Sequence, residues 1–264
     1  MKQLTTLSTV RHLWSSNYLC KKFNGLFLGP LYLFCLELFF PRRCVNCGKF
    51  GDFLCFNCAS NIEMVKTDTC FACGKISENS KICAKCRSRN GFSIDYLVVA
   101  SKYDAGPVKE MIHHLKYSGL TGISEIIGML LVKRIDNRTL MSLLAKKEVL
   151  ITAVPLHKNR YNQRGFNQSD LIAKKFAEFT GHKYQDLLTR KIETRSQVGL
   201  SRKDRLLNME DAFIVVSGVD VLNKTVVLVD DVVTTGATLN ACAKVLKAAG
   251  AKKVIGMVAA RNQR

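Results

Sequence analysis

Residues 225–239 read TVVLVDDVVTTGATL, and this stretch decides the fold. Val226 to Val229 form an apolar run typical of a strand buried on both faces, and the paired carboxylates Asp230 and Asp231 stand just beyond its carboxyl end. Open α/β sheets bind their ligands at that edge. Thr234, Thr235, Gly236, Ala237 and Thr238 follow, small residues that open a helix from Ala237 to Ala249. A turn of this composition can point backbone N–H groups and hydroxyls at one phosphate, with the positive end of the helix behind them. Adjacent acids at the end of an apolar strand cost free energy unless something occupies them. Two acids beside a phosphate cradle describe a site for a phosphorylated sugar. The stretch has neither the Gly-Lys-Ser/Thr of the Walker pattern nor the GxGxxG of a dinucleotide fingerprint.

Working outward, the segment beyond Asn90 alternates strand and helix patterns. Strands are expected at Ile94–Ala100, Val149–Val154, Ala212–Val216 and Val254–Ala260, and helices at Val108–Tyr117 and Ile123–Ile135. The strand at Val149 runs into Pro155-Leu156-His157 and then the basic polar run KNRYNQRGF, which reads as a loop giving way to a helix near Asn167. A loop leaving a strand's carboxyl end with Lys158, Arg160 and Arg164 is placed to neutralise a diphosphate. Lys116 and Tyr117, before Gly119, put a second basic side chain where a phosphate could be reached. His113 and His114 are adjacent on their helix and read as surface or satisfied histidines, not as a metal pair.

Ahead of this region the composition changes. Cys44-x-x-Cys47, Cys55-x-x-Cys58, Cys70-x-x-Cys73 and Cys83-x-x-Cys86 make four knuckles within 43 residues. Each pair offers two thiolates to a tetrahedral ion, so the eight imply two structural Zn2+ sites. Sequential pairing of the knuckles is the simplest arrangement, and spacing leaves an interleaved one open. Gly48 and Gly74 permit tight turns that aim backbone N–H groups at the sulfurs. So small a segment has little core, and metal would supply much of its folding energy.

The formal charge of +19, from 40 basic and 21 acidic side chains, points to nucleic acid, anionic lipid or phosphorylated small molecules as partners. Zinc thiolate sites of about −2 each leave the chain strongly basic, near +15. Apolar content of 47% argues against disorder as the default. Clustered cysteine pairs without a secretory pattern suit a reducing, cytoplasmic setting. Leu26 to Phe40 is very apolar, but Gly29, Pro30 and Glu37 interrupt it, and it falls short of the ~20 residues of a membrane span. Leu31, Phe34, Cys35 and Leu38 share a helical face, so the expectation is an amphipathic helix docked on the protein, with membrane-surface contact the weaker option.

The Thr225–Leu239 stretch resembles the phosphoribosyl-diphosphate signature of type I phosphoribosyltransferases. The Val154-Pro155-Leu156 turn, the Arg164-Gly165-Phe166-Asn167-Gln168 run and the Gln197-x-Gly199-Leu200-Ser201-x-x-x-Arg205 run extend the resemblance to the ComF family of competence proteins. Members of that family join an amino-terminal double zinc ribbon to a phosphoribosyltransferase-like domain. The resemblance covers the chain from about Pro41 and implies a double zinc ribbon over 41–90 and an α/β fold with a mostly parallel sheet over 91–264. Residues 1–40, outside it, are read as an arm with the amphipathic helix. It implies that Asp230 and Asp231 hold the ribose hydroxyls and that Thr234, Thr235, Gly236, Ala237 and Thr238 hold the 5′-phosphate. Backbone around Leu156 and His157 would form the diphosphate loop, with Arg160 and Arg164 neutralising charge and Mg2+ accompanying the diphosphate. Asp230, Asp231 and Arg164 are the residues of any transfer chemistry.

The function implied is a cytoplasmic role in DNA uptake and natural transformation, with phosphoribosyl diphosphate or a related phosphate as ligand. Single-stranded DNA would lie along Arg160, Arg164, Arg195 and Arg202, and Tyr161 and Phe166 stand among the arginines where bases could stack. Two other readings fit the same residues. One is a metabolic phosphoribosyltransferase acting on a base or amine, and the other a noncatalytic scaffold for a competence helicase or another uptake protein. No acceptor pocket is legible in the sequence, and no cysteine follows Met1 to serve a glutamine-hydrolysing half, so turnover is left open.

Overall fold

A computed structural model describes residues 41–103, 106–135, 141–142, 144–145, 148–190 and 212–262. The expected arm and helix before Pro41 and the arginines Arg195 and Arg202 lie outside these residues. The chain divides into two compact units, Met1–Asn61 and Ile62–Arg264.

In the first unit the knuckle at Cys44 closes through an Arg43–Phe50 antiparallel bridge, with the Cys44 N–H donating to Lys49 O and the Gly48 N–H to Cys44 O, both at 2.8 Å. A one-turn helix, α1 (Phe56–Ser60), follows the Cys55 knuckle. Its small interior holds Leu54, Cys44 and Cys58.

The second unit opens with the same pattern. A Thr69–Ile76 bridge closes the Cys70 knuckle, and α2 (Ala84–Asn90) follows Cys83. Here the ribbon is joined to a sheet of β1 (Tyr96–Lys102), β2 (Val149–Ala153), β3 (Lys183–Tyr184), β6 (Thr225–Val233) and β7 (Lys253–Arg261). The order is β1-β7-β6-β2-β3 and every pairing is parallel. A separate antiparallel pair, β4 (Leu188–Arg190) and β5 (Phe213–Val215), flanks the segment 191–211. The helices of this unit are α3 (Pro107–Tyr117), α4 (Ile123–Lys133), α5 (Lys158–Arg164), α6 (Gln168–Thr180) and α7 (Ala237–Ala248).

The largely apolar runs of β2, β7 and the first half of β6 fit a sheet covered on both faces. On one face Leu150, Val226, Leu228, Val254 and Val258 pack with Leu239, Cys242 and Leu246 of α7 and with Cys70, Phe71, Ile82 and Cys86 of the ribbon. Strand residues of the other parity, including Val227, Val229, Ile255 and Met257, face the layer of α4 and α6, where Ile127, Leu131, Ile172 and Phe176 are wholly buried.

Polar links fasten the second ribbon to this core. Asp95 accepts from Arg87 of α2 at 3.0 Å, from Lys247 of α7 at 2.8 Å and from the Val254 N–H at 2.8 Å. Burial pushes the Asp95 carboxyl up, but Lys247, the Val254 N–H and Arg87 outweigh it and hold it below the usual range. Arg134, almost fully buried, donates Nε to Val99 O at 3.0 Å and pairs with Asp68, which also accepts from Ser80.

Two sequence expectations are corrected. The basic run after His157 is helical from Lys158 to Arg164, because His157 Nδ1 caps its first turn by accepting the Asn159 N–H and Gly165 ends it in the left-handed region. The helix buries no residue, so it carries no apolar period to reveal it. Likewise β6 does not end before the acids. It continues to Val233, because β7 pairs with it as far as Val233–Arg261.

Candidate functional site

The last β2–β6 pair is Ala153–Val229, with the Val154 N–H donating to Val229 O at 3.0 Å before Pro155 turns the chain away. Beyond that point β6 has, among the described residues, a neighbour only on its β7 side, so Asp230 and Asp231 are presented where the sheet splits. Two helices reach them. Asn167 spans the split by donating Nδ2 to Val154 O at 2.9 Å, and its Oδ1 caps α6 by accepting the Ser169 N–H. This holds Ser169 so that its hydroxyl donates to Asp230 Oδ1 at 2.7 Å, while the Asp231 N–H donates to the same oxygen at 2.9 Å. From α3, Lys116 Nζ lies 2.7 Å from Asp231 Oδ2, and the Val232 N–H donates to Asp231 Oδ1 at 2.6 Å.

The two carboxylates are unequal. Asp231 is buried and has a cation of its own. For Asp230, burial and then the Asp231 charge push the carboxyl up, and the bonds from Ser169 and the Asp231 N–H offset this only in part, leaving it at about 7. An acid raised above its ordinary range gains from any ligand hydroxyl or cation that favours its ionised form.

Beyond Val233, Thr234 and Thr235 are exposed and Gly236 takes φ +77° at the start of α7. No side chain caps the helix at that position, whereas His157 and Asn167 cap α5 and α6. The Ala237 N–H makes a long 3.4 Å bond to Thr235 Oγ1. The turn therefore retains donors for an anion, with Thr234 and Thr238 hydroxyls nearby in sequence. Gly236 also sits against an aromatic ring, since a Cβ there would lie 3.0 Å from Phe71 Cε1.

Leu156 and His157 are half-buried at the β2 exit, and Arg160 is exposed on α5. Arg164 donates Nη1 to Gln168 Oε1 at 2.9 Å, and its guanidinium lies 5.2 Å from the Tyr117 ring centroid. The start of α6 and the end of α3 thus meet across the acid pair through Ser169, Gln168, Arg164, Tyr117 and Lys116. Sequence reasoning missed Ser169 and Asn167. The Asn at the head of a helix pattern was the signal for the cap, and a capped helix beside the β2 exit delivers the following hydroxyl. Lys116, read from the sequence as a basic side chain within reach of a phosphate, pairs with Asp231.

The cysteines group sequentially. The sulfurs of Cys44, Cys47, Cys55 and Cys58 lie within 4.8 Å of one another, as do those of Cys70, Cys73, Cys83 and Cys86, so the donor sets fit two tetrahedral Zn2+ ions. The tetrads share an electrostatic pattern. Burial pushes the Cys44 and Cys70 thiols up, but backbone N–H groups aimed at each sulfur outweigh it and bring both down to about 6. The neighbouring thiols hold Cys58 and Cys86 up at about 12, at Cys58 against an opposing Asn46 hydrogen bond. A divalent cation replaces the protons that such crowding retains. Glu110, His113 and His114 also bring ligand atoms within 4.8 Å on α3, closer than adjacency on a helix suggested, with His114 Nδ1 3.0 Å from Ser118 Oγ.

Among the described residues no helix is long and apolar enough to cross a membrane. Residues 172–264 match the phosphoribosyl transferase domain family and residues 35–87 the double zinc ribbon domain family. The chain is 29% identical to Competence protein F of Haemophilus influenzae over 78% of this chain and 96% of that one. It is 30% identical to Competence protein ComFC of Streptococcus pneumoniae, covering 76% and 84%. It is 31% identical to the DNA utilization protein YhgH of Escherichia coli, covering 78% and 88%.

Proposed function

Because the chain belongs to the ComF family of competence proteins, we propose that it works in DNA uptake as a cytoplasmic protein that binds phosphoribosyl diphosphate and single-stranded DNA. The observation that carries the ligand is the unequal acid pair at the split of a parallel sheet, followed at once by an uncapped helix start. In this reading Asp230 and Asp231 accept from the ribose hydroxyls, and Thr234 to Thr238 donate to the 5′-phosphate. The diphosphate lies toward Leu156 and His157, with Arg160 and Arg164 neutralising it. Mg2+ bound with the diphosphate would supply further neutralising charge.

Phosphoribosyl transfer would build positive charge on the sugar, which Asp230 and Asp231 favour, and negative charge on the leaving diphosphate, which Arg164 favours. Single-stranded DNA is assigned to the basic face of α5 and the segment beyond β4, where Arg160, Arg164, Arg195 and Arg202 supply phosphate contacts and the exposed Tyr161 a stacking surface. The test is calorimetric titration of the zinc-loaded protein with phosphoribosyl diphosphate and Mg2+, with and without bound single-stranded DNA. Binding that DNA alters supports the proposal. Binding indifferent to DNA turns the reading to an ordinary transferase, and no binding removes it. Charge reversal at Arg160 and Arg164 is expected to lower the salt dependence of DNA binding.

A further inference from the structure

Arg261 is the last residue of β7 and pairs with Val233, the residue immediately before the Thr234–Thr238 turn. Its guanidinium carbon lies 4.1 Å from the centroid of the Phe71 ring. Phe71, between the two cysteines of the third knuckle, is 5% exposed. The same ring lies against Gly236, where a Cβ would meet its Cε1 at 3.0 Å and its Cδ1 and Cζ at 3.6 Å. Phe71 therefore touches both the Arg261 guanidinium and Gly236 at the uncapped start of α7.

Part of the guanidinium is also unused among the described residues. Its Nε is buried without a hydrogen-bond partner, and no acidic side chain pairs with Arg261 among the described residues. A buried donor left unmade is costly, more so when charged. Stacking uses only the face of a guanidinium and leaves its N–H edge free in the plane, the geometry that suits a phosphate oxyanion. Lysine would supply charge but neither the stack nor the fork.

We infer that Arg261, held on Phe71 of the second ribbon, is a further ligand of the phosphomonoester seated at Thr234–Thr238. This rests on the phosphoribosyl reading of that turn and adds two residues to it, a ligand and the aromatic plate that positions it. The ribbon is then a wall of the ligand site as well as a fold-stabilising element.

Ribose 5-phosphate and Mg2+-pyrophosphate separate the two ends of the ligand. In calorimetric titrations of the full zinc-loaded chain, Arg261→Gln is expected to weaken ribose 5-phosphate about tenfold or more, the scale of one lost charge-assisted pair. Mg2+-pyrophosphate should bind as in the wild type. Arg261→Lys should fall between them, and Phe71→Leu should weaken ribose 5-phosphate selectively while keeping the charge. Unchanged ribose 5-phosphate affinity in Arg261→Gln would overturn the inference and leave the site reading standing. Equal loss of both probes with a fallen melting temperature would overturn it in favour of a purely structural rivet. Wild-type protein that bound neither probe would overturn the site reading, and this inference with it.

Discussion

The two zinc ribbons repeat one sequence pattern and end in different surroundings. Around the first, Phe50 and Phe56 are 58% and 70% exposed, and Arg43 stacks on the Phe50 ring at 4.1 Å. In the second, Ile76, in the place of Phe50, is exposed too, and Ile82, like Leu54 of the first, is buried. But Phe71, in the place of half-buried Val45, enters the main core and sets its ring on the phosphate turn, and Asp95 ties α2 to α7 and β7. Equal ligand spacing fixes the local knuckle and says nothing of what the knuckle packs against. One tetrad belongs to a compact unit of its own and the other to the unit that carries the ligand site.

The sharpest way to break this contrast is to remove one matching thiol from each tetrad. Cys73→Ser should lower the melting temperature of the ligand-binding unit by roughly 10 °C or more, since metal contributes several kcal/mol to such folds. Cys47→Ser should leave that transition in place. Equal effects of the two would erase the distinction. Next in size is Lys116→Gln, which strands the buried Asp231 without its cation and should cost about 3 kcal/mol in denaturant unfolding.

Asp95→Asn should cost about 2 kcal/mol at neutral pH. Because the folded protein holds Asp95 below its ordinary value, its contribution is present at neutral pH and is lost as pH falls through that lowered value. The difference between variant and wild type should therefore close in acid. Asp230 has the opposite sign. Raised to about 7, it makes the folded chain bind an extra proton between roughly pH 4 and 7, so stability falls as pH rises through that window. Asp230→Asn should flatten this decline and raise the melting temperature at pH 8. Smallest of all, Phe56→Ser on the first ribbon should stay within about 0.5 kcal/mol of wild type in denaturant unfolding.

The sheet was legible because β2, β6 and β7 are buried on both faces and so read as apolar runs, and the tetrads because ligand spacing is a local property. What was not legible depends on partners distant in sequence. The extension of β6 through Asp230 and Asp231 is set by β7, and α5 is set by a histidine cap and a glycine end without apolar periodicity. Ser169 is an ordinary residue that becomes part of the site only when α6 converges on the acids, and the pairing of Lys116 with Asp231 likewise depends on α3 arriving beside them. Phe71 read as a residue inside a metal knuckle, and only the packing of that knuckle on α7 brings it to Gly236.

The most direct test of the account is a titration of phosphoribosyl diphosphate with Mg2+ into wild type and into the Asp230→Ala, Asp231→Ala double variant, with two zinc ions verified in each by native mass spectrometry. The account predicts one binding event per wild-type chain and a loss of at least about a hundredfold in the double variant, the scale of two ligand hydrogen bonds to charged groups. Equal affinity in the two proteins would contradict it, because the acid pair at the split of the sheet would then have no part in holding the ligand.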